Sequence, residues 1–231
     1  MTWGKEGDVN MKKLVGLLVI AFALSTSLAS AGTIVLTFEG LQNEEPIGDY
    51  YNGGLGGLGS GPGPNYGITF GPDSLAIISG ADGGSGNFSG SPSGTTIAFF
   101  LTGPGDVMDV PAGFDTGFSF YYSAVVYPGE VDVYNGLDGT GTLLAALDLP
   151  VTPSGGSPEC TYGAYCPWFP IGVSFAGTAE SVVFTGTADY IAFDNITLGS
   201  QTPGPPVPEP GTMALLGSGL AFLRMMRRRK K

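Results

Sequence analysis

Glycine and proline punctuate this chain so densely that its apolar residues never accumulate into a helix-length periodic stretch. Of 231 residues, 40 are Gly and 18 are Pro. What lies between them is a series of short segments rich in β-branched and aromatic side chains, at residues 33–39, 66–70, 74–79, 95–102, 117–123, 130–135, 142–149, 171–177, 181–186 and 190–198. Ten short strands bounded by turn residues predict an all-β fold, a two-sheet sandwich with jelly-roll topology. Residues 32–200 are enough for one domain with a sizeable core, and no linker divides them. Alternation in the first segment puts Ile34, Leu36 and Phe38 on the core face. In the last segment Ile191 and Phe193 keep one phase while Ile196 and Leu198 take the other, which predicts a β-bulge near Asp194 and Asn195. The glycine-dense residues 52–67 lack the Gly-Lys-Ser/Thr ending of a phosphate cradle and read as a loop.

Charge and the missing histidine narrow the chemistry. With no His in the chain, Ser-His-Asp and Cys-His catalytic pairs and His-ligated metals are excluded. All nine Lys and Arg lie at the two ends, and residues 32–207 hold none, whereas 17 of the 20 acidic residues fall within that stretch. Such a body repels phosphate backbones, which excludes nucleic acid as a partner, and favours cations and cationic surfaces. Solubility of an exported protein is an equally sufficient reason for the acidity.

Both ends read as addresses. Lys12 and Lys13, the apolar run from Leu14 to Leu24 and the small residues Ala29-Ser30-Ala31 form a signal peptide over residues 1–31, its helix too short to span a bilayer and its cleavage site at Ala29 and Ala31. Met11 fits the layout of a signal peptide start better than Met1 does. At the other end, a Pro-rich spacer over 201–211 contains Pro208-Glu209-Pro210, and residues 212–231 are an apolar stretch interrupted by Arg224 and closed by a basic cluster. About 15 helical residues reach about 22 Å, which makes a short membrane helix whose basic end must snorkel, with the positive cluster on the cytoplasmic side.

That order of motif, apolar stretch and basic tail resembles the PEP-CTERM sorting signal of Gram-negative bacteria. The resemblance implies processing at Pro208, Glu209 and Pro210 by the membrane protease-transpeptidase exosortase. It further implies transient anchoring in the inner membrane with the body in the periplasm, and a final place at the cell surface or in an exopolysaccharide and biofilm matrix. An ordinary permanent C-terminal anchor is the alternative.

Within the body, Cys160 and Cys166 are expected to pair as a disulfide in an exported chain. The loop they close presents Tyr162 and Tyr165, with Trp168 just beyond, rings suited either to lying against a sugar or to capping one end of the core. Calcium is the ion that a histidine-free, carboxylate-rich chain favours. Resemblance to jelly-roll domains with a structural calcium where first and last strands meet maps such a site onto Glu39, Asp194 and Asn195. Glu130 and Asp132 share a strand face and raise the alternative of a polysaccharide hydrolase using acidic residues alone, although a solvated face explains them as well. The expectation is therefore a non-enzymatic, structural or adhesive protein whose partner is a glycan or another cell-surface protein.

Overall fold

The computed structural model describes residues 32–205. The signal peptide with Ala29 and Ala31, the motif Pro208-Glu209-Pro210 and the C-terminal apolar helix lie outside the described residues. Among those described, no helix is long and apolar enough to cross a membrane. The chain forms β1 (Ile34–Leu36), β2 (Glu45–Pro46), β3 (Thr69–Phe70), β4 (Ser74–Ile78), β5 (Thr96–Phe100), β6 (Gly105–Phe114), β7 (Gly117–Ser123), β8 (Gly129–Tyr134), β9 (Leu143–Leu149), β10 (Phe169–Ser174), β11 (Ala179–Gly186) and β12 (Ala192–Leu198), with one turn of 3-10 helix at Gly80–Asp82.

The strands make two antiparallel sheets. One runs β10-β7-β12-β5-β4-β2 with β1 also paired to β12, and the other runs β3-β6-β11-β8-β9. The pairs β5–β12, β6–β11, β7–β10 and β8–β9 are nested one inside the next, which is the connectivity of a jelly roll. β6 and β2 are the two strands that sequence patterning does not reveal. In GDVMDVPAGF the turn-forming Gly, Asp and Pro are as many as the apolar residues, yet Met108, Val110 and Phe114 are buried.

Between the sheets the core is largely aromatic. Phe184 and Phe193 meet edge to face at 5.0 Å, and Phe120 meets Phe193 at 5.6 Å. Each such pair adds about 0.5–1.5 kcal/mol beyond the area it buries. β12 carries the predicted bulge: its register against β7 shifts between Asp194 and Thr197, and Asn195 adopts φ 48°. The extra residue lets Ile191, Phe193, Ile196 and Leu198 all reach the core despite their opposite phases. It also divides the strand, for β12 pairs with β5 through Ala192 and Phe193, and with β1 through Ile196, Thr197 and Leu198.

Buried carboxylates here have no cation to turn to, and each is held by N–H and O–H donors. Glu45 is fully buried and accepts from Gln42 N (2.6 Å), Leu58 N (2.9 Å) and Ser60 N (3.0 Å). Burial pushes its pKa up, but the donors from Ser60, Gln42 and Leu58 outweigh that and leave it below the usual value. This carboxylate gathers the glycine-dense loop, and Gly56 is needed there because a Cβ would lie 2.5 Å from Glu45 Oε1. Glu45→Ala strands three donors and is expected to cost about 3 kcal/mol in chemical denaturation, with Glu45→Gln costing less.

Asp106 is buried at the sandwich edge, where it accepts from Ser74 Oγ of the facing sheet. Burial, with a contribution from the Asp73 and Asp109 charges, pushes its pKa up to about 7. The folded chain thus keeps a proton that the unfolded chain releases near pH 4, so stability falls as pH rises from about 4 to about 7. Urea midpoints across that range should decline for the native chain, and Asp106→Asn should lessen the decline, the rest coming from Asp194, which burial likewise pushes up to about 7.

Candidate functional site

The outer face of the larger sheet is apolar where β4, β5 and β12 adjoin. Ala76, Ala98 and Phe100 point into the main core, so alternation turns Ile77, Ile97 and Phe99 outward, beside Ala192. Two loops cover this face. One joins β4 to β5 and brings Phe88; the other joins β9 to β10 and brings Tyr165 and Trp168, making a small second core with Ile97 and Ala192.

The loops are stitched to each other by backbone and short polar groups. Asn87 O accepts from Ala164 N (3.0 Å) and Tyr165 N (3.1 Å), and Phe88 bridges to Tyr165. Ser89 Oγ donates to Tyr162 O (2.6 Å), while Trp168 Nε1 donates to Ser89 O (3.0 Å). Gly163, at φ 73°, permits the approach, since a Cβ there would lie 2.3 Å from the Asn87 carbonyl carbon. Cys160 and Cys166 are joined in a disulfide that closes the second loop.

Beside the stitch a cleft of about 190 Å³ remains open. Its floor is Ile77, Ile97, Phe99 and Ala192, and Ser85, Asn87, Tyr165 and Asp189 supply its polar groups. Asp189 is exposed and held at φ 66°, with its N–H on Phe100 O (2.8 Å) and its carbonyl accepting from Tyr165 Oη (3.2 Å). Burial, then the Asp189 charge and the Tyr190 phenol, pushes the Tyr165 hydroxyl up to about 12, so it remains a neutral donor. Tyr190 packs edge to face on Tyr127 at 4.9 Å.

The three aromatic residues singled out in the sequence do not form one platform. Tyr165 lines the cleft, Trp168 packs edge-on against Phe88 at 6.0 Å, and Tyr162 is exposed with its hydroxyl over Gly80. Glu130 and Asp132 lie on the smaller sheet, where Tyr134 Oη donates to Asp132. Glu39 and Asp194 hold residues 93–96, while the Asn195 amide donates to Gly204 O. Asp194 accepts from Ser93 N and Ser93 Oγ (2.8 Å each) and Asn195 N (2.7 Å), and Glu39 Oε1 accepts from Thr95 N and Thr96 N. Asn195 Oδ1 is buried with no hydrogen-bond partner. Among the described residues no group of three or more His, Cys, Asp or Glu is arranged to hold a metal ion. Nothing in the local sequence pattern singles out Ser85, Asn87 or Asp189. The signal for Asp189 is its type, since Asp tolerates a left-handed backbone at a strand entrance.

The described residues thus define a jelly-roll β-sandwich with a loop-built cleft on one sheet face. Residues 206–230 match the family model of the PEP-CTERM protein-sorting motif, so the chain carries that sorting signal and is an exported protein. No curated protein matches the sequence. Among solved structures, the K2 cleaved adhesin domain of Lys-gingipain is similar at 15% identity and TM-score 0.45, over 74% of this chain and 99% of that one. A family 6 carbohydrate-binding module is similar at 16% identity and TM-score 0.35, over 57% of this chain and 86% of that one. A carbohydrate-binding module of Cellvibrio mixtus lichenase 5A, solved with cellotriose, is similar at 12% identity and TM-score 0.31, over 55% and 87%.

Because the loop stitch passes through Gly163, Gly163→Ala is expected to destabilise the chain by about 1–3 kcal/mol. It should also shift Trp168 emission to the red in native buffer.

Proposed function

We propose that this protein is a non-enzymatic, surface- or matrix-associated module that binds exopolysaccharide after export through its sorting signal. The observation that carries the reading is the pairing of that signal with a cleft whose apolar floor and polar rim suit the two faces of a sugar ring. Exosortase is the partner at the inner membrane, and its action near Pro208-Glu209-Pro210 releases the body from the periplasmic face to the cell surface or biofilm matrix. A binding role is favoured over hydrolysis because one carboxylate, Asp189, lines the cleft, whereas glycoside hydrolysis takes two in a set separation.

A structural calcium belongs to the same proposal. Glu39, Asp194 and the amide oxygen of Asn195 would hold it, supported by the unpartnered, buried Asn195 Oδ1 and by the Glu39 charge that reaches Asp194. These are hard oxygen donors beside the bulge of β12, so an ion there would fasten β1 and the β4–β5 loop to the central strand.

The test is co-sedimentation of the full chain with exopolysaccharide from its own bacterium, with and without calcium. Saturable retention is expected, reduced about tenfold by Tyr165→Ala in a variant that melts normally. Retention that depends on calcium supports the Glu39 and Asp194 site. Absence of retention in both conditions overturns glycan binding in favour of a cell-envelope protein partner, and sugar release from the matrix overturns the non-enzymatic reading.

A further inference from the structure

Glycans differ in charge, and the charges at the cleft bear on which of them it could take. No Lys, Arg or His lies anywhere in residues 32–205, so nothing at the cleft can neutralise a uronate, sulfate or phosphate. Asp189 stands exposed on its rim, fixed in a left-handed backbone by the bond from its N–H to Phe100 O and by the Tyr165 hydroxyl on its own carbonyl. Both bonds use backbone atoms, so its carboxylate is free of any hydrogen bond from the described side chains that hold the residue. Next to it Tyr165 lines the cleft, and Tyr190, whose phenol acts on the Tyr165 hydroxyl, packs edge to face on Tyr127, in a body that has no internal cation. A carboxylate beside aromatic rings over an apolar floor is a receptor for a positive charge on a partly apolar ring, through a charge-assisted hydrogen bond and cation–π attraction.

We propose that the cleft takes an amine-bearing sugar, a glycan residue with a free ammonium group, with Asp189 as the residue that recognises the ammonium. This rests on the glycan-binding reading of the same cleft and adds the class of sugar. At about 190 Å³ the space suits a single ring rather than a long stretch of chain. The surrounding acidic body adds attraction at a distance, and Asp189 supplies the selectivity at contact.

The full chain is titrated calorimetrically with a β-1,4-linked glucosamine trisaccharide, its fully N-acetylated form, cellotriose, a triuronate and tri-lysine. The glucosamine trisaccharide is expected to bind about tenfold more tightly than the acetylated form or cellotriose, and the triuronate not at all. Asp189→Asn, which tolerates the same backbone, should bring the first three within about twofold of each other, whereas Asp148→Asn on the other sheet should leave the preference intact. Equal binding of amine and neutral sugars overturns the proposal while leaving glycan binding standing. No binding of any sugar overturns both. Tighter binding of tri-lysine, or a preference lost equally in the two variants, assigns the effect to the general field of the body and overturns the role of Asp189.

Discussion

Every negative charge in this domain has to be managed without a positive one. Because residues 32–205 contain no basic side chain, burying a carboxylate is possible only where backbone N–H and hydroxyl groups converge on it. Glu45, Asp106 and Asp194 each show the solution in a different place: a loop wrapped around Glu45, a hydroxyl from the facing sheet on Asp106, and a serine and the bulge on Asp194. The cohesion that other sandwiches divide between ion pairs and apolar packing falls here on aromatic rings and on loops that fold back to donate hydrogen bonds. Part of the glycine content follows from this. A loop whose N–H groups must reach a buried carboxylate approaches more closely than side chains allow, as Gly56 does at Glu45.

The fold was legible wherever local composition and core packing agreed. The ten segments dense in β-branched and aromatic residues all coincide with strands, and the phase change between Phe193 and Ile196 coincides with the bulge. β6 escaped notice because its inward side includes Asp106 and its length contains Pro111 and Gly113; neighbouring strands, rather than its own residues, make it extended. β2 is two residues long and exists because Glu45 is pinned. The disulfide was readable from export and spacing, and it is formed.

The site was legible only in part, and for a physical reason. Aromatic residues in a disulfide loop announce a surface feature, but which ring faces solvent depends on partners far along the chain. Trp168 turns inward because Ser89 O accepts its indole N–H, while Tyr165 turns to the cleft because Asp189 O accepts its hydroxyl. Those partners lie 79 and 24 residues away, beyond the reach of any local pattern. Asn87, Ser89 and Asp189 act mainly through backbone groups and short side chains, so residue type alone says little about them.

The division of β12 also has a mechanical meaning. The C-terminal segment continues from this strand, so tension on a tethered end enters the sandwich through Leu198. Before it reaches the strand it must strip residues 199–204 from the sheet, where Ser200 O accepts from Ser119 Oγ and Gly204 bonds to Thr197 Oγ1 and Asn195 Nδ2. Beyond that point β12 is gripped along both edges, by β7 on one side and by β1 and β5 in succession on the other, all antiparallel. A pull along it loads those ladders in shear, where many hydrogen bonds share the force, instead of unzipping them one by one. The small clamp gives first and the domain yields last, which is the order of failure that suits a body hung by one end.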